Sequence, residues 1–321
     1  MTTKRHLVAM LFAAALSAES AAPVAAQGST PLKIAYVPGV GNLSIFVADA
    51  KGYFKAEGIE YEALPINTGP GAATAVASKS ADIGYGGMLP TIVARAEGIP
   101  FKFILGGYYE QEPVFSDSAL IASVKSGINS VADLKGKTVA VNNASGINDL
   151  QVRLKLKEAG IALDSVKILT IPFPQMQAAL EVGNADAVGT VDPFRTSILQ
   201  KKVGKVIAQG YVQKKDLTRP IPVAGYYATE EWIKGNAETL ARLRRAIAKA
   251  NEFIAANQGE ARELLVQRLR FAPQLAASIT LPPFSTSVDP AAVQSIIDAA
   301  FEVGLLKKPI SPQDVLLADT R

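Results

Sequence analysis

The sequence predicts an α/β fold built as two similar lobes, each a mainly parallel sheet flanked by helices. Three observations predict it. From Lys33 onward, short β-rich runs alternate with helical stretches, the pattern of strands joined by helical crossovers. The order of elements then recurs once along the chain, as in a unit used twice. The length, 321 residues with 49% hydrophobic and 19% charged, suits two domains with sizeable cores.

In the first series, Leu32 to Val37 reads as a strand. Leu43 to Lys51 reads as a helix with Phe46, Val47 and Ala50 on one face and Gly52 as its stop. A strand at Ile59 to Leu64, a helix at Ala72 to Ser78, a strand at Ile83 to Tyr85, a helix at Leu89 to Glu97 and a strand at Phe101 to Leu105 follow. The second series opens with Ser130 as cap of the turn Val131 to Lys135. It continues as strand Thr138 to Val141, helix Asp149 to Ala159, strand Val166 to Ile171, helix Gln175 to Val182, strand Ala187 to Val191, helix Pro193 to Lys202 and strand Lys205 to Ala208. Lys33-Ile34-Ala35-Tyr36-Val37 matches Lys137-Thr138-Val139-Ala140-Val141 at an offset of 104, and Ala81-Asp82-Ile83 matches Ala185-Asp186-Ala187 at the same offset. Gly58-Ile59 matches Gly160-Ile161 between them.

The last third carries no such repeat. Trp232 and the helix Leu240 to Ala256 read as packing, and Leu264, Leu265, Leu269, Ile296, Ile297, Phe301, Leu305 and Leu306 as core that returns to cover the first lobe. Arg242, Arg244, Arg245 and Lys249 alternate with apolar residues on that helix, the mark of a solvated basic face rather than a nucleic-acid stripe.

Lys4, Arg5 and His6 precede an apolar stretch from Leu7 to Leu16, and Val24-Ala25-Ala26 supplies small residues for cleavage. This reads as a secretory signal, residues 1–26, because ten strongly apolar residues fall short of the ~20 needed to span a bilayer. The mature chain is thus expected in the periplasm, without membrane insertion, carrying 31 basic and 28 acidic residues. Cysteine is absent and the only histidine is His6. Disulfides, thiolate metal sites, a cysteine nucleophile and imidazole acid–base chemistry are therefore excluded from the mature chain. No cofactor or metal is expected, and no nucleic-acid partner.

In open α/β sheets, ligands settle at the carboxyl ends of strands, where loops lead into helix N-termini. Those loops are Pro38-Gly39-Val40-Gly41-Asn42 and Gly86-Gly87-Met88 in the first lobe. In the second they are Asn142-Asn143-Ala144-Ser145-Gly146 and Val191-Asp192. Glycines admit close backbone approach, although ordinary turn chemistry explains them as well. Asn142, Asn143 and Ser145 add side-chain donors, which suits a small anionic group. Asp192 before Pro193 reads as an N-cap that can also meet a ligand donor, and Arg195 as a solvated or capping side chain. Gly107-Tyr108-Tyr109 and Gly225-Tyr226-Tyr227 sit where the chain passes between lobes. One tyrosine of each, Tyr108 and Tyr226, is expected to line the cleft, against a reading of both triplets as plain strand.

These residues resemble the substrate-binding proteins of ABC importers for sulfonates, taurine and nitrate, with their thiamine-pyrimidine branch. The marks are Gly52-Tyr53-Phe54 with Glu57-Gly58-Ile59, Ala81-Asp82-Ile83 with Gly86-Gly87, Asp133-Leu134-Lys135-Gly136-Lys137, and Gly183-Asn184-Ala185-Asp186-Ala187 leading to Asp192-Pro193. The resemblance implies a type II periplasmic-binding-protein fold: residues 27–115 plus 222–321 as one lobe, 116–221 as the other, and hinges near 107–118 and 218–227. It implies ligand binding by Val40, Gly41, Asn42, Gly87, Met88, Ser145, Gly146 and Asp192, beside Tyr108, Asn143 and Tyr226 from the loop reading. Position 192 is Asp where the family commonly has Glu, and the Cys-rich motif of the pyrimidine-synthesising branch is missing. The expected role is a monomeric, non-enzymatic receptor handing a small organic anion to a permease and its ATPase. The alternatives are a receptor for a pyrimidine or other heterocycle, the same fold as a sensor, or a secreted enzyme using Asp192 and Glu110 as carboxylates.

Overall fold

The computed structural model describes residues 31–320 apart from 67, 112–114, 117 and 211–219. The expected signal, 1–26, lies outside the described residues, as do parts of both expected hinges.

The first half of the chain gives β1 (Leu32–Tyr36), α1 (Leu43–Ala50), α2 (Tyr53–Ala56), β2 (Tyr61–Pro65), α3 (Gly69–Ala77), β3 (Ile83–Gly87), α4 (Met88–Ala96) and β4 (Phe101–Gly106). A short β5 (Tyr109–Glu110) leads to β6 (Ala119–Ser123), β7 (Thr138–Val141), α5 (Ile147–Glu158), β8 (Lys167–Thr170), α6 (Phe173–Val182), β9 (Ala187–Thr190), α7 (Phe194–Gln200) and β10 (Gly204–Gln209). The chain returns through β11 (Ile221–Pro222) and β12 (Ala224–Thr229). It ends in α8 (Glu230–Gly235), α9 (Ala237–Ala256), α10 (Gln258–Leu269), α11 (Pro273–Ser278), α12 (Pro290–Glu302) and α13 (Pro312–Val315). Local chemistry sets several boundaries. Thr68 accepts the N–H of Gly71 to start α3, Asp289 accepts that of Ala291 to start α12, and Gly183 ends α6 at φ +81°.

Two five-stranded sheets result, β2-β1-β3-β12-β4 and β8-β7-β9-β6-β10. Written this way they follow one plan. In each, three neighbours run parallel and the fourth strand, β12 or β6, runs antiparallel to both of its partners. Each sheet takes that antiparallel strand from the segment arriving from the other sheet. The two crossovers pair side by side as β5 and β11.

Backbone pairing corrects the letter match in one place. The Asp82 carboxylate accepts the Lys33 N–H and the Asp186 carboxylate accepts that of Thr138, both at 2.8 Å. Ile34 pairs with Ile83, and Val139 with Ala187. Lys33 is therefore the counterpart of Thr138, an offset of 105 rather than 104 in this strand. Gly58 and Gly160 keep their match, both left-handed at φ +68° and +70°. Each precedes an isoleucine whose N–H reaches back 2.9 Å to the previous helix.

Alternation along the strands sorts the core. Ile34, Tyr36, Tyr85 and Tyr226 face α1, α9 and α10, while Ala35, Phe101, Phe103 and Tyr227 face α3, α4 and α12. In the second sheet Leu120, Val139 and Val141 meet α5, and Ile121, Ala140 and Val188 meet α6 and α7. The C-terminal helices cover the first sheet as expected, except that Phe301 is exposed. Helix α5 serves both halves. Val152 and Leu156 pack on its own sheet, while Ile147, Leu150 and Leu154 join the cluster of α4 and α12, each such burial stabilising by about 1.5–3 kcal/mol. Lys157 and Glu302 pair at 3.1 Å along the same seam.

Candidate functional site

Each sheet ends in two loops at the carboxyl edge of its central parallel strands, and these loops carry the candidate residues. In the first, the Asn42 side-chain oxygen accepts the Gly39 N–H at 2.8 Å and folds 38–42 into a turn. Gly41 is required there. A Cβ on it would stand 2.8 Å from the Tyr108 ring and 3.0 Å from the Tyr85 hydroxyl, closer than real contacts allow. Gly41 and Tyr108 are therefore packed against one another, and Tyr108 stays partly exposed.

The second loop of this half differs from expectation. The Met88 side chain is fully buried, its N–H is taken by the Val223 carbonyl at 2.9 Å, and the Gly87 carbonyl accepts the Thr91 hydroxyl at 3.1 Å. The Met88 side chain is thus part of the core. Val40, at 6% exposure, is core as well. Tyr226 was expected in the cleft, but as part of β12 it lies inside the first sheet at 0% exposure, edge-on to Tyr85 with ring centroids 4.8 Å apart. Burial raises its hydroxyl pKa. The same holds for Tyr109, whose hydroxyl donates to the Ser287 carbonyl. Of the two triplets only Tyr108 remains available.

In the second half, Ser145 holds φ +58°, and its N–H donates to Asp149 at 2.9 Å. Asp149 is itself buried and pairs with Arg153 at 2.7 Å. Gly146 closes the turn by donating to the Asn143 carbonyl at 3.1 Å, and Asn148 donates to the Asn142 side chain at 3.0 Å. Asn143 and Ser145 are left partly exposed on a braced loop. Asp192 accepts both the N–H and the hydroxyl of Thr196, at 3.0 and 2.6 Å, so it caps α7, which begins one residue later than expected. Arg195 donates to the Ser116 carbonyl at 2.8 Å and Glu110 accepts the hydroxyls of Ser116 and Ser118. Both carboxylates of the enzymatic alternative are held in structural bonds.

The loops of the two halves converge. Ile147, directly after Gly146, and Val191, directly before Asp192, pack into the cluster of Met88 and Leu89. Buried polar atoms gather at the same edge: Asn42 Nδ2, Asn148 Oδ1 and Thr190 Oγ1 have no hydrogen-bond partner among the described residues. Such atoms cost about 1–3 kcal/mol each when left unmet, so a ligand group or water that reaches them is favoured. Phe173 and Phe194, first residues of α6 and α7, stack at 5.5 Å with their planes 13° apart on this edge too. Sequence reasoning missed Asn148, Thr190 and the two phenylalanines. The signal for Asn148 was its place in the first helical turn after Gly146; the phenylalanines open helices whose starts were placed elsewhere. Two surface recesses, near Asp82 and near Asp186, lie at the opposite, amino ends of the strands.

The family model described as NMT1/THI5 like matches residues 42–261. The chain belongs to that family. This NMT1/THI5-like protein is 24% identical over 312 residues to a protein of Brucella abortus (strain 2308) that is named as a binding protein, covering 92% of this chain and 93% of the other. Among solved structures, the alkanesulfonate-binding protein SsuA from Xanthomonas axonopodis pv. citri, bound to MOPS, superposes with a TM-score of 0.75 at 18% identity, covering 89% of this chain and 98% of that one. The desulfurization enzyme DSZB superposes with a TM-score of 0.63 at 14% identity, covering 88% and 95%. The fold is that of the periplasmic binding proteins.

Proposed function

We propose that this NMT1/THI5-like protein is the periplasmic solute-binding component of an ABC importer. It works as a monomer that closes two lobes, 27–115 with 222–321 and 116–221, around a small organic anion and passes it to the permease and ATPase. The contacts are Gly41, Asn42, Gly87 and Tyr108 from one lobe and Asn143, Ser145, Gly146 and Asp192 from the other. The observation that carries this reading is the convergence of equivalent loops from two sheets of one plan, with unmet buried polar atoms on both sides. The SsuA likeness supports a sulfonate head group. Asp192, with Thr196 on one oxygen, suits a ligand that also carries an amino group, as taurine does.

The stacked Phe173 and Phe194 favour a second ligand class, a planar heterocycle such as a pyrimidine, which would extend that stack.

Thermal melting against a panel of alkanesulfonates, taurine, carboxylates, nitrate and pyrimidines tests the proposal. A ligand at 100 times its Kd stabilises by about 2.7 kcal/mol, a rise in Tm of roughly 5 °C for a chain of this size. A shift with a sulfonate or carboxylate supports the first reading and a shift with a pyrimidine alone supports the second. No shift with any of them counts against a receptor, and recovery of chemically altered ligand would mean an enzyme.

A further inference from the structure

The carboxyl edge of the second sheet differs on its two faces. Toward α5 it is polar, carrying Asn148 with its amide on the Asn142 side chain. Toward α6 and α7 it is aromatic. Phe173 opens α6 just after β8, and Phe194 opens α7 just after the Val191-Asp192 loop. Their rings stack with centroids 5.5 Å apart and planes 13° apart, within the range of offset-stacked aromatic pairs. Phe173 leans on the cluster of Met176 and Leu180. A pair that served only to brace two helices would be expected inside that cluster, yet both rings stay partly exposed.

Thr190 points to the same face. Val188 belongs to the cluster of α6 and α7, and Thr190 follows two residues later on β9, so its side chain leaves the sheet on that side. It is fully buried, and its hydroxyl has no hydrogen-bond partner among the described residues. The fold leaves that atom for something else to meet. The first half reaches this face as well. Gln200 of α7 donates to Ser278, the last residue of α11, at 3.4 Å. The chain beyond α11 runs to Phe284, which bridges Tyr108, and both of these rings are partly exposed too.

We infer that the α6–α7 face of the cleft is a ring subsite, and that the solute is an anion whose charged group is carried on an aromatic ring. This rests on the reading of the cleft as the solute site. The charged group takes the loop N–H groups and polar side chains, while the ring lies along Phe173 and Phe194 with a polar edge toward Thr190. A flat apolar wall with a single polar point rewards a planar ring over an alkyl chain. Nitrate has no apolar surface to set against the pair and taurine has little, so both are expected to bind weakly.

Titration calorimetry with matched pairs of probes tests this: ethanesulfonate against benzenesulfonate, and propionate against benzoate. In the pair whose charged group the cleft accepts, the ring compound should bind at least about tenfold tighter. Phe173→Ala and Phe194→Ala should bring that ratio of Kd values toward one. Where an alanine variant does not fold, Phe173→Leu or Phe194→Leu keeps most of the volume, loses the stack and takes its place. A ratio near one in the parent protein overturns the inference and leaves capture of an anion standing. A ratio that survives in the variants, with Tm lowered and both compounds weakened alike, would make the pair a brace between α6 and α7 and overturn the inference as well. Binding of none of the probes would overturn the reading of the cleft, and the ring subsite with it.

Discussion

At the scale of single residues, the proposed site rests on a few positions where a side chain is either forbidden or needed. Gly41 is the clearest, since Tyr108 and Tyr85 occupy the space a Cβ would take. Gly41→Ala should displace Tyr108 and cost about 1–3 kcal/mol, read as a lower denaturant midpoint, together with loss of ligand-induced stabilisation. Ser145→Gly is a cleaner probe. Glycine adopts φ +58° without strain, so the loop and Tm should be kept while ligand affinity falls about tenfold for the lost hydroxyl; an unchanged affinity would remove Ser145 from the site. Gly84 matters for the fold alone. A Cβ there would stand 2.2 Å from the Tyr227 ring inside the sheet, and Gly84→Ala should destabilise by at least 2–3 kcal/mol without a specific effect on Kd. The placement of Tyr226 and Met88 in the core belongs to this scale too. Their residue types fit a cleft as well as a core, and which they occupy depends on β12 pairing between β3 and β4, a contact across more than a hundred residues.

At the scale of elements, most strands and helices were legible because their periodicity and stop signals are local. Thr138–Val141 coincides with the expected strand, and Gly52, expected to stop the helix before it, is left-handed at φ +70° just after α1. Strand β6 was missed: Ala119–Ser123 is buried on both faces and so shows no alternation. Ser130 and Asp133 illustrate a local signal with a measurable consequence. The N–H groups of Asn129 and Ser130, at 2.8 and 2.9 Å, hold the Asp133 carboxyl below the usual aspartate range. A pKa depressed in the fold adds stability that is present above the unfolded value, about 3.9, and lost as pH falls through the folded one. Asp133→Asn should therefore lower the urea midpoint at pH 7, with the gap to the parent closing toward pH 2. Helix α5 is the other telling element. Its two apolar faces were not separable in the sequence, because Leu150, Val152, Leu154 and Leu156 fall at every second position, which spreads them over opposite sides of a helix. Leu154→Ala, at a residue 1% exposed in the seam with α4 and α12, should cost about 2–5 kcal/mol in thermal melting.

At the scale of the molecule, the duplication was readable because Ala-Asp and Gly-Ile strings mark backbone events that both halves need: a carboxylate that ties two strand starts, and a left-handed helix stop. The exchange of antiparallel strands between sheets was not readable, since nothing local distinguishes a strand that stays from one that crosses. That exchange puts the crossovers together as β5 and β11. Glu110, Ser116, Ser118, Gln151 and Arg195 then bind one another beside them, which is why Glu110, one of the two carboxylates of the enzymatic alternative, is a structural group. A solute held by both halves must feel changes on either. The deciding measurement is titration calorimetry of the panel compound that raises Tm most, with the parent protein, Gly41→Ala and Ser145→Gly. One molecule per chain for the parent, with weaker binding in both variants, is the expected result. Full-strength binding in either variant would mean that the compound sits on one half alone, and would contradict capture between two.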